Sequence, residues 1–266
     1  MLFDSHAHYC DDRYDREYPG GVEALLSEAF AGDVSGIVNV GSSVENSILA
    51  IKMAARHPKM YATVGIHPGD AQDYGCDSAP HLAKLDSLLF DAAKNKIVAL
   101  GEIGLDYHYP DTDRELQMHY FKEQMKLAER HRIPVVVHDR EAHGDCLKVV
   151  SEFPNVRGVF HSFSGSRETA FELLSMGWYV SFSGTVTFTN ARKVAEAAAA
   201  MPHDRVLIET DCPYLAPHPH RGTLNHSMNL RYIVAKLAEL WGIPADDVAR
   251  ITHENAVRFF GINNLK

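Results

Sequence analysis

Histidine and carboxylate side chains stand at the ends of short apolar segments along much of the chain. These side chains are His6, His8, His67, Glu102, His138, His161 and Asp211. His6 and His8 are two residues apart, so both project to the same side if their segment is a β-strand. Imidazole and carboxylate ligands without thiolate are typical of sites for Zn, Mn, Fe, Co or Ni, and less so of sites for Mg. The pattern indicates a divalent-metal site assembled from several segments.

Two ligand sets fit this arrangement of side chains. The first set is His6, His8, Glu102 and Asp211, and the second is His138, His161 and a bridging Glu102. A His-x-His pair alone is a weak signal, and single histidines are more often structural or exposed. Five such residues at the same end of successive strands are hard to produce by chance, which favours the metal interpretation.

The elements that position these side chains are eight β-rich segments separated by helical patterns. The predicted strands are Leu2–Ser5, Gly36–Val40, Tyr61–Gly65, Ile97–Gly101, Pro134–Val137, Gly158–Phe160, Trp178–Ser181 and Val206–Ile208. Runs such as IVNV, PVVV and VLIE are continuously apolar, which is typical of parallel strands buried on both faces. Between the strands, apolar residues recur at three- and four-residue steps, as they do in amphipathic helices.

This alternation predicts an α/β fold, a (β/α)₈ TIM barrel that forms one domain over residues 1–266. The main alternative is an open doubly wound sheet, but the chain has neither a G-x-G-x-x-G after its first strand nor a Walker loop. In a barrel the C-terminal ends of all the strands meet at one rim, which is where we expect the active site. The irregular segment from Cys212 to about Asn225 is interpreted as an active-site loop.

Composition limits the classes of function. The net charge of −9 argues against a broad basic surface for nucleic acid, although bound divalent cations reverse the sign of the local field. The chain has no apolar run near the roughly 18 residues that span a bilayer, and its N-terminus does not read as a signal peptide. Its four cysteines lack C-x-x-C spacing and are expected to be reduced thiols. We expect a cytoplasmic protein without membrane contact.

Seven motifs follow one another along the chain: DSHAH, VGIHP, GEIGLDYHY, PVVVHDREAH, HSFSGS, IETDCPYLAP and THENAVRFFG. Through these motifs the chain resembles the TatD-family metal-dependent deoxyribonucleases, a branch of the amidohydrolase-like barrels, over nearly its whole length. The resemblance implies a hydrolase with two divalent ions, often Mg or Mn, that acts on DNA and commonly as an exonuclease. It assigns the same two ligand sets to the metals, and it places Asp106 and Arg140 near the substrate.

One segment departs from the family pattern. After LAP the family usually has a basic RGKRNEP stretch, whereas this chain reads HRGTLNHS. Arg221 is kept, but Thr223 and Leu224 replace two basic residues, which reduces the expected contact with nucleic acid. Gly69 follows VGIHP, where many members have a second histidine. We therefore expect any binding of DNA to depend mainly on the metals, Arg140 and Arg221.

Several side chains receive individual roles. Glu102 and Asp211 supply negative ligands, and Asp211 is the better choice to orient the attacking water and take its proton. His67 either contacts a substrate phosphate or makes a structural hydrogen bond. Arg140 and Arg221 suit bidentate binding of phosphate, with a surface salt bridge as the alternative.

Four further residues carry weaker expectations. Glu209 lies two residues before Asp211 and is either the partner of a ligand histidine or a barrel carboxylate paired with a basic side chain. Tyr107 and Tyr109 either stack on bases or pack above the barrel. Cys212 is interpreted as a small packing residue.

These observations predict a metal-dependent hydrolase that uses metal-activated water to cleave phosphodiester bonds in DNA, as an exonuclease on single-stranded ends. The nearest alternative is an amidase, lactonase or phosphotriesterase-like hydrolase of a small molecule, because fold alone does not select a reaction. A carboxylated lysine would favour that alternative, but Glu102 rather than a lysine ends the fourth predicted strand. A scaffold or metal-storage protein would leave the convergent ligands unexplained. No obligate protein partner is inferred.

Overall fold

The computed structural model describes residues 1–262, and its strands form one eight-stranded parallel sheet in chain order. The strands are β1 (Leu2–Ala7), β2 (Val34–Asn39), β3 (Met60–Val64), β4 (Ile97–Asp106), β5 (Val135–Arg140), β6 (Gly158–Phe160), β7 (Tyr179–Phe182) and β8 (Val206–Ile208). The first and last strands meet through a parallel bridge between Ala7 and Cys212. This arrangement confirms the predicted (β/α)₈ barrel.

Helices connect the strands and surround the sheet. They are α1 (Arg13–Glu17), α2 (Gly21–Ala31), α3 (Val44–Arg56), α4 (Pro68–Tyr74), α5 (Ala79–Phe90), α6 (Arg114–His131), α7 (His143–Ser151), α8 (Arg167–Ser175), α9 (Arg192–Ala200), α10 (Leu230–Trp241) and α11 (Ala245–Phe260). Within residues 1–262, none of these helices is long and apolar enough to cross a membrane.

Local sequence sets the ends of several helices. The Ser43 hydroxyl accepts the Asn46 N–H at the start of α3, and the Asp113 carboxylate accepts the Leu116 N–H at the start of α6. Two aspartates occupy the first turn of α11, and Gly261 ends it in the left-handed region at a φ of 67°.

The apolar core explains which side chains reach the inside of the barrel. On β5, Val135 and Val137 belong to a large cluster with the surrounding helices, whereas Val136 belongs to a second cluster that includes residues of α11. Because side chains alternate along a strand, His138 shares the inward direction of Val136. The site residues therefore lie on strands whose preceding residues are fixed by apolar packing.

Three strands extend at least two residues beyond their predicted C-terminal ends. β1 continues to Ala7, β4 continues to Asp106, and β5 continues to Arg140. Glu102 therefore lies within β4, between two stretches of pairing with β5 that are separated by a register shift. The apolar pattern missed these extensions because the rim ends of the strands carry polar side chains, although their backbones still pair.

Candidate metal centre

The Glu102 carboxylate lies between two groups of histidines and is 3% exposed. Its Oε2 atom is 3.4 Å from His6 Nε2 and 3.6 Å from His8 Nε2. Its Oε1 atom is 2.7 Å from both His138 Nδ1 and His161 Nε2. We call His6, His8, Glu102 and Asp211 the first cluster, and Glu102, His138 and His161 the second cluster. One carboxylate thus contributes a different oxygen to each cluster.

The first cluster depends on the junction between β1 and β8. The Asp211 N–H donates to the His6 carbonyl at 3.0 Å, and the His8 N–H donates to the Cys212 carbonyl at 2.7 Å. These bonds bring Asp211 Oδ1 to 3.6 Å from His6 Nε2 and 3.3 Å from His8 Nε2, and the two imidazole nitrogens are 3.1 Å apart. Atoms that bind one ion at roughly 2.0–2.2 Å stand roughly 3.0–3.6 Å apart, so this spacing fits a divalent ion.

The second cluster has carboxylates behind its histidines. His138 Nδ1 is 3.2 Å from His161 Nε2, and both atoms face Glu102. The opposite nitrogens contact other carboxylates: His138 Nε2 is 3.2 Å from Asp106 Oδ2, and His161 Nδ1 is 3.1 Å from Glu209 Oε1. Such carboxylates fix the tautomer and orientation of a metal-binding histidine. Glu209 thus occupies the place expected for a partner of a ligand histidine.

His67 precedes α4 and lies beside the second cluster. Its Nδ1 accepts the Gly69 N–H at 3.0 Å, and its Nε2 is 3.7 Å from Glu102 Oε1. Burial lowers the pKa of His67 to about 3, so the ring is neutral near pH 7. Because Nδ1 uses its lone pair as an acceptor, the proton of the neutral ring is on Nε2. His67 therefore presents an N–H donor at the site.

A cavity of about 940 Å³ opens above the two clusters. Besides cluster residues, its lining includes Asp106, Arg140, Tyr109 and Tyr214. Arg140 is the one arginine or lysine side chain in that lining within the described part of the chain. The cavity thus combines a group of metal-capable ligands with a single permanent cation.

A family model described as TatD related DNase matches residues 3–261 of this chain. The chain belongs to this family.

One relative by sequence and one by structure are also similar to this chain. The protein named uncharacterized metal-dependent hydrolase YabD, from Bacillus subtilis (strain 168), is 38% identical, and the match covers 99% of this chain and 100% of YabD. The crystal structure of YjjV, a TatD homologue from Escherichia coli K12, has a TM-score of 0.90 at 30% identity and covers 98% of each chain. This chain is therefore a metal-dependent hydrolase of the TatD family.

More distant likeness is limited to the fold. A phosphotriesterase homology protein from Escherichia coli, complexed with phosphate in its active site, has a TM-score of 0.69 at 13% identity. The match covers 97% of this chain and 98% of that protein. It shows that the two chains share a barrel, and a barrel does not select a reaction.

Electrostatics keep the carboxylates of the first cluster ionised. Burial raises the pKa of Glu102, but the surrounding histidines, with His161 foremost, hold it well below its usual range. Burial also raises the pKa of Asp211, and a hydrogen bond with His8 together with nearby histidines brings it below the usual value. Ionised carboxylates are the form that binds metal.

Asp4 is a buried residue of the site region that the sequence analysis missed. Its Oδ2 accepts hydrogen bonds from the hydroxyls of Thr210 and Ser227, both at 2.6 Å, and its Oδ1 accepts the Thr210 N–H at 3.0 Å. Asp4 therefore ties β1, which carries His6, to the residue before Asp211. The available signal was an aspartate inside an otherwise buried strand, which requires several donors to be stable.

The loop after β8 places Arg221 and Leu224 away from the cavity. Arg221 is exposed, its guanidinium stacks 4.0 Å from the centre of the Phe188 ring, and it is not part of the cavity lining. Leu224 packs against a cluster of buried residues that includes Tyr9 and Tyr14. The departure from the basic family pattern at Leu224 thus supplies apolar packing beneath the loop.

The structure distinguishes the roles of the remaining residues, Tyr107, Tyr109 and Cys212. The Tyr107 hydroxyl donates to Asp145 at 2.9 Å, and Arg114 stacks on the Tyr107 ring, so packing accounts for this residue. Tyr109 instead is 57% exposed and lines the cavity. Cys212 is fully buried, as expected of a packing residue.

Proposed function

We propose that this hydrolase uses two divalent metal ions, Mg or Mn, to cleave phosphodiester bonds in DNA, starting from single-stranded ends. The observation that carries the proposal is the division of the Glu102 carboxylate between the two clusters. His6, His8, Glu102 and Asp211 would hold the first ion, and Glu102, His138 and His161 would hold the second.

The donor set fits such a pair of ions. Each cluster offers imidazole nitrogens and carboxylate oxygens whose spacing suits one ion, and carboxylates orient both histidines of the second cluster. Bound divalent ions of this kind lower the pKa of a coordinated water and neutralise phosphate oxygens as charge develops. The protein side chains must supply positioning, proton transfer and contact with the rest of the substrate.

Asp211 is the group proposed to take the proton of the attacking water. Its Oδ1 faces His6 and His8, which leaves Oδ2 to accept the proton. Its pKa below the usual value keeps Asp211 ionised near pH 7, so that the free carboxylate oxygen is able to accept a proton. The backbone bond from Asp211 to His6 fixes its position against the first cluster.

His67 and Arg140 are proposed to hold the phosphate. His67 Nε2 carries the donor hydrogen beside the second cluster. Arg140 NH1 is 3.8 Å from Asp106 Oδ2, and 44% of the Arg140 side chain is exposed, so the guanidinium is oriented but accessible. A planar guanidinium suits bidentate contact with phosphate oxygens. Arg221 has no part in this proposal because it lies outside the cavity lining.

DNA is favoured over a small ester or amide by two observations. The family to which the chain belongs is described as TatD related DNase. The cavity, of about 940 Å³, has aromatic and cationic side chains beside the clusters, which suit bases and phosphate. The acidic chain and the single cationic side chain in the lining keep the small-molecule hydrolase as the second candidate.

The choice of substrate is tested with metal-free protein refilled separately with Mg, Mn or Zn. Each form is assayed on single-stranded DNA, RNA and a panel of small esters, amides and phosphotriesters. We expect metal-dependent hydrolysis of single-stranded DNA at a higher kcat/KM than that of any panel member. Efficient hydrolysis of a small ester or amide without cleavage of DNA would show that the same metal site belongs to a small-molecule hydrolase instead.

Metal affinity is expected to fall as the pH decreases. Burial lowers the pKa of His8, His138 and His161, but the carboxylates that contact them raise each pKa above its usual value. A protonated imidazole must release its proton before it binds a metal, so protons compete with the ion below these raised pKa values. Titration with Mn²⁺ at several values between about pH 8 and about pH 5.5 should show affinity decreasing toward the acid side. An affinity independent of pH across this range contradicts the assignment of these histidines as ligands.

A further inference from the structure

We propose that Tyr214 and Tyr109 are stacking platforms for the two nucleobases on either side of the scissile phosphate. The inference rests on the proposed function and specifies its substrate as a single-stranded dinucleotide unit. One tyrosine lies beside each cluster, so each side of the cleaved bond receives its own aromatic surface.

Tyr214 adjoins the first cluster. Its N–H donates to the Asp211 carbonyl at 2.9 Å, and its ring centre is 6.1 Å from that of His8. The Arg13 guanidinium lies 4.3 Å from the centre of the Tyr214 ring and is held by two hydrogen bonds to Asp11, at 2.9 and 2.7 Å. The ring is therefore supported and fixed in orientation, while 48% of the residue remains exposed at the cavity.

Tyr109 lies on the side of the cavity toward the second cluster and is connected to that cluster through Arg140 and Asp106. Arg140 lies 5.6 Å from the centre of its ring, and Arg140 in turn approaches Asp106, which contacts His138. Tyr109 is 57% exposed and lines the cavity. A base on this ring would place its phosphate within reach of the Arg140 guanidinium.

Tyr109 and Tyr214 differ from the other exposed large hydrophobic residues in their position at the cavity. The exposed large hydrophobic residues of the described part are Met1, Leu49, Phe90, Tyr109, Phe171 and Tyr214. Only the two tyrosines among them line the cavity. Neighbouring Tyr107 uses its hydroxyl and ring in packing, so exposure is particular to Tyr109 within this segment. An exposed aromatic ring beside a phosphate site suits a base of any identity.

The arrangement has consequences for the choice of substrate. Stacking does not depend on hydrogen-bond patterns, so the four bases are expected to be cleaved at similar rates. The lining has one cationic side chain, so phosphates beyond the scissile one add little, and binding should change little beyond the dinucleotide. In a duplex the bases are paired and stacked on each other. The bases of a single-stranded end are instead free to stack on both tyrosine rings.

The test uses Tyr109→Leu and Tyr214→Leu, with Tyr109→Phe and Tyr214→Phe as matched controls that keep the ring. Substrates are single-stranded DNA dinucleotides with two bases, or with a base-free tetrahydrofuran nucleoside on one side or the other. We expect each Leu variant to lose roughly tenfold or more in kcat/KM on the two-base substrate, while each Phe variant stays close to the unmodified protein.

The decisive result is a crossover between the two variants. The loss in Tyr214→Leu should disappear when one particular side lacks its base, and the loss in Tyr109→Leu should disappear when the opposite side lacks its base. Equal losses on base-free and base-bearing substrates, or no loss at all, would overturn the proposal. A variant that merely disturbs the fold would slow every substrate alike.

Binding provides a readout that is independent of turnover. A dinucleotide with a neutral methylphosphonate linkage resists hydrolysis, and its affinity can be measured by calorimetry with the metal-loaded protein. Each Leu variant should bind it roughly tenfold more weakly, with recovery in the Phe variant. If the unmodified protein cleaves no DNA, the proposed function itself fails. If it cleaves DNA and the Leu variants match it in cleavage and binding, only the stacking proposal fails.

Discussion

Asp211→Asn is expected to reduce turnover on single-stranded DNA by about 10²-fold or more, which is the scale of a lost acid–base contribution. The substitution keeps the size of the side chain and one coordinating oxygen but removes the negative charge that accepts the proton. Bound metal should decrease less than kcat, because His6, His8 and Glu102 remain in the first cluster. The measurement is kcat at saturating metal and substrate, with metal content determined on the same sample.

Asp111→Asn is the matched control for Asp211→Asn. Asp111 is an exposed carboxylate that lines the same cavity, and neither cluster includes it. The Asp111→Asn substitution changes the charge of the cavity lining by the same amount as Asp211→Asn, and it should leave kcat nearly unchanged. Near-normal turnover in Asp211→Asn, or equal losses in the two variants, would show that Asp211 is not the base.

Glu102→Gln is expected to have the larger effect, with a loss of turnover of roughly 10³-fold or more, because metal ions contribute several kcal/mol to stabilisation of the transition state. The glutamine is nearly isosteric, so the barrel should remain folded. It removes the one anionic ligand that both clusters share. Elemental analysis of protein purified without chelator should therefore show less bound metal at both sites.

Two comparisons isolate the shared role of Glu102. The double variant His6→Ala with His8→Ala should empty the first site and keep metal at the second. Glu209→Gln alters only the residue behind His161 and should weaken the second site by roughly 10–100-fold. A Glu102→Gln protein with unchanged metal content would contradict the bridging assignment, as would unchanged content in the double histidine variant.

Much of this fold follows from local sequence. Apolar runs located all eight strands, and the bounds of β6 and β8 agree with prediction to the residue. This succeeds because strands buried on both faces require continuous apolar residues. The same rule fails at the rim, where β4 extends through Glu102 to Asp106 with polar side chains directed into the site.

The ligand clusters were also visible in the sequence, because a parallel barrel brings the ends of its strands to one rim. His6, His8, Glu102, His138, His161 and Asp211 all lie together there. The division of Glu102 between its two oxygens depends on side-chain geometry, which motif spacing does not determine.

Sequence patterns locate side chains less well in long loops than on strands. Arg221 was assigned to phosphate from its motif, and in the structure its guanidinium lies against Phe188, outside the cavity lining. Tyr214 lies in the same segment and was not singled out, although it stands beside His8. Asp4 was missed because its partners, Thr210 and Ser227, are more than 200 residues away in the chain. Contacts of this range depend on the closure of the barrel.

The claim that two ions sharing Glu102 carry out phosphodiester hydrolysis is tested most directly by one titration. Metal-free protein receives increasing Mn²⁺, and bound metal and cleavage of single-stranded DNA are measured on the same samples. We expect cleavage to be absent in chelator, to remain low while the first equivalent binds, and to rise in proportion to the second. Full cleavage with one bound equivalent, or cleavage in the presence of excess chelator, would contradict the two-metal assignment.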